Sequence, residues 1–337
     1  GEGMIGRYTL DDVDRKAWEA VLKRSEHATV FHALEWLAAV RKSFRTRETL
    51  LVQKRGGKPI SVFPYFHSRK FSLDLYGSPL PETGAMYGGP VSVTGRPGSA
   101  MLEEFEKGRG ARSTYFMKLV PGYPVQALRR SGYRIEQVPN IVLDLGRPVE
   151  GLWAGLNKKR RNVVRKAEKS GVAVVEGGLA DVKEYHRMHA GTCKRYSLNP
   201  LSRAFLETVF EELSPKGRIK FLFAEHESAR IAGAMFLLHQ DRILYWMGDS
   251  LPEHLHLSPN DLMQWHIIKW GAENGYKWYD LGGADIPRIA RFKSGWGGQE
   301  TPFYRAYKGS AAANLARKLY TRARRYPLVS RLYRKGL

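Results

Sequence analysis

Between Lys158 and Lys169 the chain carries seven basic residues and a single acid, Glu168. Lysine and arginine at that density attract phosphates and other polyanions, and Lys158, Lys159, Arg161, Arg165 and Lys166 are the candidate phosphate ligands. Arg160 differs from its neighbours. Leu152, Leu156, Arg160, Val163 and Ala167 share one stripe at helical spacing, so a guanidinium stands where an apolar side chain is expected. Its stem can cover apolar surface while its head reaches water, or its planar fork can hold an anionic substrate. The rest of the catalytic inventory is sparse. The sequence has no GxSxG elbow, no P-loop and no GxGxxG after a strand. Its one cysteine, Cys193, excludes an internal disulfide and a cysteine-rich zinc site and reads as a small buried residue. The close histidine pairs, His186/His189 and His254/His256, do not form HExxH, and no metal is expected.

Two carboxylates can take a proton from an attacking amine. Asp261 lies in His256-Leu-Ser-Pro-Asn-Asp261, where Ser258 reads as an N-cap, Pro259 suits the first helical position and Asp261 closes a capping box. Capping competes with catalysis as its role. Asp249, at the end of an aromatic strand, reads equally as a turn former. The start of the helix at Pro259 presents unpaired backbone N–H groups to a bound anion, which makes Asn260 in its first turn a candidate substrate ligand. Trp36, Tyr65, Tyr87 and Tyr245 can wall a substrate pocket or stack on a base, and core packing is the competing reading.

These residues need a scaffold, and the scaffold is written twice. Leu50–Leu80 and Phe221–Leu251 superpose without a gap at a constant offset of 171 residues. Each copy runs apolar segment, charged turn, apolar segment, charged turn, aromatic strand, the mark of an antiparallel meander. Around them the sequence predicts helices over Asp11–Lys23, Ala33–Ser43, Ser99–Lys107, Leu152–Ser170, Asp181–Tyr196, Arg203–Leu213 and Ser258–Gly275. Strands at Thr114–Leu119 and Asn140–Leu145 complete the first unit, and Gly146-Arg147-Pro148 marks the boundary. At 337 residues the chain accommodates two domains, expected at 1–148 and 149–308. The net charge of +22 favours a polyanionic partner. No apolar run is long enough to cross a bilayer and no secretory signal follows Met4, so a cytoplasmic location is expected. The basic segment 309–337 has an apolar face along Leu315, Leu319, Ala323 and Tyr326. It can lie on an anionic membrane, contact nucleic acid or pack on the body.

The segments LNKKRRNVVRKAEKSGV, LSPNDLMQWHIIKWGAENGYKWYDLGG and FKSGWGG, in that order, resemble the FemABX-type aminoacyl transferases. The resemblance is good over residues 151–308 and vague before 150. It implies an α/β (α+β) fold of two tandem GNAT-like domains, each a mixed, mostly antiparallel twisted sheet flanked by helices, with the C-terminal segment returning to the first domain. It also implies transfer of an amino acid from aminoacyl-tRNA, a co-substrate rather than a bound cofactor, onto an amine of a peptide or peptidoglycan-precursor-like acceptor. The family's Phe-Lys pair falls on Phe292 and Lys293, with the lysine important for catalysis. An activated ester needs positioning and a charge against the developing oxyanion more than a strong base. Two other readings stand beside it: an acyl-CoA-dependent N-acyltransferase acting on a glycan or envelope component, and a non-catalytic RNA- or membrane-binding protein. The (Arg/Gln)-x-x-Gly-x-(Gly/Ala) turn that binds CoA pyrophosphate is missing, since Arg291 to Gly297 has one residue too many.

Overall fold

The computed structural model describes residues 3–70, 73–96, 98–284, 286–310 and 315. Most of the basic segment 309–337 therefore lies outside the described residues. The first sheet is built from β1 (Met4–Tyr8), β2 (Arg47–Arg55), β3 (Lys58–Lys70), β4 (Leu73–Ser78), the short β5 (Val91–Ser92), β6 (Ser113–Leu119) and β7 (Arg134–Val138). The second contains β8 (Asn140–Asp144), β9 (Ala173–Glu176), β10 (Ile219–His226), β11 (Ala229–His239), β12 (Arg242–Ser250), β13 (Trp278–Gly283) and β14 (Gln299–Glu300). The last strand, β15 (Phe303–Gly309), returns to the first sheet. The orders are β1-β2-β3-β4-β6-β15-β7, with β5 on β3, and β14-β8-β13-β12-β11-β10-β9. Each sheet has one parallel neighbour pair, β4 with β6 and β12 with β13.

The meanders are the duplicated unit. Gly56 and Gly57 turn β2 into β3 with both φ positive, and Glu227 and Ser228 do the same between β10 and β11 at the same offset. Two successive positive φ values match the right-handed twist of a hairpin. Glycine adopts them freely, whereas the second copy holds two side chains in the left-handed region at a cost on the order of 1 kcal/mol each.

Two expectations change. The strand at Asn140 does not complete the first sheet; it pairs antiparallel with β13 in the second, while β15 fills the matching place between β6 and β7. The parallel crossovers leave one edge of β6 and one of β13 open, and each is closed by a strand from the other half of the sequence. The segment Leu152–Ser170 is two helices, α5 (Val149–Gly155) and α6 (Lys158–Lys169), numbered after α1 (Arg15–Arg24), α2 (Leu34–Ser43), α3 (Ser99–Glu106) and α4 (Gln126–Arg130). The break falls at Asn157, which is extended and caps α6 by accepting the Arg160 N–H at 2.8 Å. The remaining helices are α7 (Val182–Arg195), α8 (Arg203–Leu213), α9 (Pro259–Glu273) and α10 (Pro287–Ser294).

The larger core crosses between the halves. Trp36 on α2 sits edge-on to Trp246 on β12 at 5.4 Å and to Phe205 on α8 at 6.0 Å, and Phe44 meets Phe205 at 4.9 Å. Such pairs add about 1 kcal/mol each beyond area burial. A second core packs α5, α6 and α9 on the other face of the second sheet.

Candidate active site

The two parallel strand pairs differ. β4 and β6 stay in register over five positions, from Asp74 opposite Ser113 to Ser78 opposite Met117. β12 and β13 pair only from Arg242–Leu244 to Trp278–Asp280. Beyond that point Tyr245–Ser250 and Leu281–Gly283 run apart, and their facing backbone groups border a slot. A bulge at Trp246, where Met235 opposite Met247 is followed by Phe236 opposite Tyr245, increases the divergence.

The slot's far wall comes from the first half of the chain. Trp246 donates its indole N–H to Gly84 O at 3.1 Å, and Tyr87 donates its hydroxyl to Asp280 Oδ2 at 2.8 Å. Asp280 is fully buried and also receives Asn140 Nδ2 and the Gly282 N–H. Gly282 has φ +78, and a Cβ there would lie 2.5 Å from Met86 Cε and 3.4 Å from Lys293 Nζ. Lys293 donates to Gly283 O at 2.8 Å. Lys293 is buried, and its ammonium lies at the end of β13, beside Met86.

What holds Lys293 there is the rest of the FKSGWGG segment. Arg160 pairs with Asp261, donates to Phe292 O at 3.2 Å and stacks over the Phe292 ring at 4.5 Å. Gly295 lets the guanidinium approach, since a Cβ there would sit 2.8 Å from Arg160 Nε. Trp296 is fully buried, and Gly297 abuts the Gly155 carbonyl. Arg160 therefore joins α6, α9 and α10 as a clamp. Burial pushes the Asp261 carboxyl up, and Arg160 offsets only part of that. Ser258 takes φ +56 and makes no side-chain cap, so the expected capping box does not form; Asp261 turns to Arg160 instead.

The other candidates divide. Trp36, Tyr65 and Tyr87 are at most 1% exposed and present no face to a substrate. Tyr65 accepts hydrogen bonds from Arg7 and Arg109, each at 2.8 Å. Asp249 is buried, its Oδ2 accepting from Tyr185 at 2.7 Å and from His189 Nδ1 at 3.1 Å. Tyr245 is half-buried and stacks on Phe236. Asn260 donates to Ser250 Oγ at 3.2 Å, and its Oδ1 is buried with no partner among the described residues. On α6, Lys158, Lys159 and Lys166 are exposed, whereas Arg161 caps the α5 carbonyls of Ala154 and Leu156, and exposed Arg165 lies over Trp153. Arg291–Gly297, the segment compared with a CoA turn, is the end of α10 rather than the start of a helix. Met86 and Asp280 were not singled out in the sequence. The YDLGG block pointed towards Asp280, but nothing local marks Met86. Among the described residues no helix is long and apolar enough to cross a membrane.

This is a tandem GNAT-like fold, and residues 157–294 match the family described as Acetyltransferase (GNAT) domain. Among solved structures, FemX is similar with a TM-score of 0.69 at 13% identity, over 89% of this chain and 96% of that one. The C-terminal domain of a putative lysylphosphatidylglycerol synthetase from Agrobacterium fabrum has a TM-score of 0.61 at 13% identity, over 91% and 96%. A tandem GNAT protein from the clavulanic acid biosynthesis pathway has a TM-score of 0.55 at 12% identity, over 91% and 98%. A search of curated proteins finds no match.

Proposed function

We propose that this protein is an aminoacyl transferase, moving an amino acid from aminoacyl-tRNA onto an amine of a peptide or peptidoglycan-precursor-like acceptor. The observation that carries the reading is the buried Lys293 ammonium, which donates to Gly283 O at the end of β13. A neutral amine adds to the ester carbonyl, and the negative charge that develops on oxygen is met by Lys293 and by backbone N–H groups of the diverging strands. Collapse forms the C–N bond and breaks the ester C–O bond. The proton lost by nitrogen ends on the departing ribose oxygen. Asp249 and Asp261 are both committed to other partners, so this transfer runs through the substrate rather than through a side-chain base.

The similarity to FemX supports the fold on which such chemistry runs, and the exposed lysines of α6 suit a phosphate-rich donor. The match to an acetyltransferase domain favours a second reading, transfer from an acyl-CoA. Incubation with charged tRNA and, separately, with acetyl-CoA, each with pooled amine acceptors, distinguishes the two. Label is expected to move from the tRNA. Transfer from acetyl-CoA alone would establish the second reading, and transfer from neither would remove both.

A further inference from the structure

The first sheet holds a separate concentration of positive charge, away from α6. Where α2 ends and β2 begins there is a groove of about 770 Å³, lined by residues 41–47 and 67–69 with no acid among them. Two of its cations are already neutralised: Arg41 pairs with Asp11 and Glu48, and Lys42 with Glu212. Arg45, Arg47 and Arg69 are exposed and form no ion pair among the described residues. Arg7, Arg160, Arg218 and Arg230 elsewhere do form such pairs.

The placement of two of these three follows from the strand register. Arg47 lies opposite His67 at the start of β2, Arg69 is two residues further along β3, and Arg45 stands in the bend just before β2. Neighbouring strands are about 4.8 Å apart and two residues along a strand span about 6.8 Å, so Arg47 and Arg69 lie close together. Like charges side by side on a sheet repel, and nothing within the described protein balances these three. Asp74 is held by His67 Nε2 at 2.8 Å, while the His67 ring stacks on Tyr76 at 4.6 Å. The groove also has a defined relation to the slot. α2 runs from it to Trp36, which packs on Trp246 of β12. That helical path is about 10 Å long, a length spanned by about three stacked nucleotides.

We infer that this groove binds the phosphodiester backbone of the RNA-linked acyl donor close to its acylated end. The inference rests on the aminoacyl-tRNA reading and deepens it by giving the donor a docking surface on the first lobe.

The test is binding of deacylated tRNA across a range of salt concentrations, for the wild-type protein and for Arg45→Gln/Arg47→Gln/Arg69→Gln, all surface positions. Loss of three phosphate contacts should weaken binding roughly 10- to 1,000-fold and flatten the slope of log K against log salt by about two to three. At saturating charged tRNA the transfer rate should be unchanged, since no altered residue is at the slot. If the wild type binds tRNA and the triple variant matches it in affinity and slope, the groove has another role. If the triple variant loses only binding to phosphatidylglycerol vesicles, the groove is a membrane contact and the inference is wrong. Failure of the wild type to bind tRNA at all would remove the donor reading together with this one.

Discussion

Lys293 and Arg160 divide the work of the site. In the proposed reaction Lys293 supplies charge to the oxyanion, while Arg160 ties down α10, the helix that carries it. Arg160 and Asp261 are 12% and 14% exposed, so removing either partner leaves a largely buried charge alone. Arg160→Ala is expected to destabilise the protein by about 3–5 kcal/mol, read as a shift in urea midpoint. Arg160→Met combined with Asp261→Leu should cost less than either single change, because no unpaired charge remains. If the double variant is instead the less stable, the pair is not a structural clamp. The apolar stripe through Arg160 signalled an unusual arginine, but its partner Asp261 was legible only as a capping residue. Ser-Pro-x-Asp at a helix start reads the same whether the carboxylate bonds backward to the cap or sideways to a guanidinium, and only the packing of α6 on α9 decides between them.

At the scale of elements, the divergence of β12 from β13 makes the slot and Gly282 shapes its wall. An alanine there would have to accept φ +78 and displace Met86, whose Cε would lie 2.5 Å from the new Cβ. Gly282→Ala should lower the transfer rate at least tenfold while the fold survives, since the left-handed backbone costs a non-glycine residue about 1–2 kcal/mol. Met86→Ala in the same chain should restore part of the rate. Equal rates for Gly282→Ala and wild type would mean that the wall of the slot does not matter. The meanders were legible from their apolar periodicity and constant offset. The exchange of β8 and β15 was not, because hydrophobic pattern marks a strand without naming its neighbours, and Asn140–Leu145 would suit either sheet. Tyr87 illustrates the same limit: an aromatic next to glycines reads as a pocket wall, and its bond to Asp280, 193 residues away, exists only in the folded chain.

Across the whole molecule the halves share a core and a set of buried histidines. His32 accepts the Thr29 N–H through Nδ1 and donates to Gly89 O through Nε2. Burial pushes its pKa down to about 4 from the usual 6.5. His239, beside Arg218, is held down to about 3, by burial first and then by that arginine. Both are neutral in the folded protein where the unfolded chain protonates, so below about pH 6.5 the unfolded state binds more protons and stability falls with pH. The loss from His32 runs from about pH 6.5 to about pH 4 and then stops, while that from His239 continues to about pH 3. Each contributes a slope of about 1.4 kcal/mol per pH unit within its window. Urea unfolding of His239→Gln should show the shallower acid dependence, and a slope equal to wild type would remove His239 from the linkage. The shared aromatic core also makes the halves unfold together, so Phe205→Ala should shift one transition rather than split it in two. The most direct test of the acyl-transfer chemistry is single-turnover transfer from charged tRNA by Lys293→Ala, with tRNA affinity measured in parallel. A rate reduced roughly 100- to 1,000-fold at unchanged affinity is expected for a charge that serves the oxyanion; a folded Lys293→Ala protein transferring at the wild-type rate would contradict it.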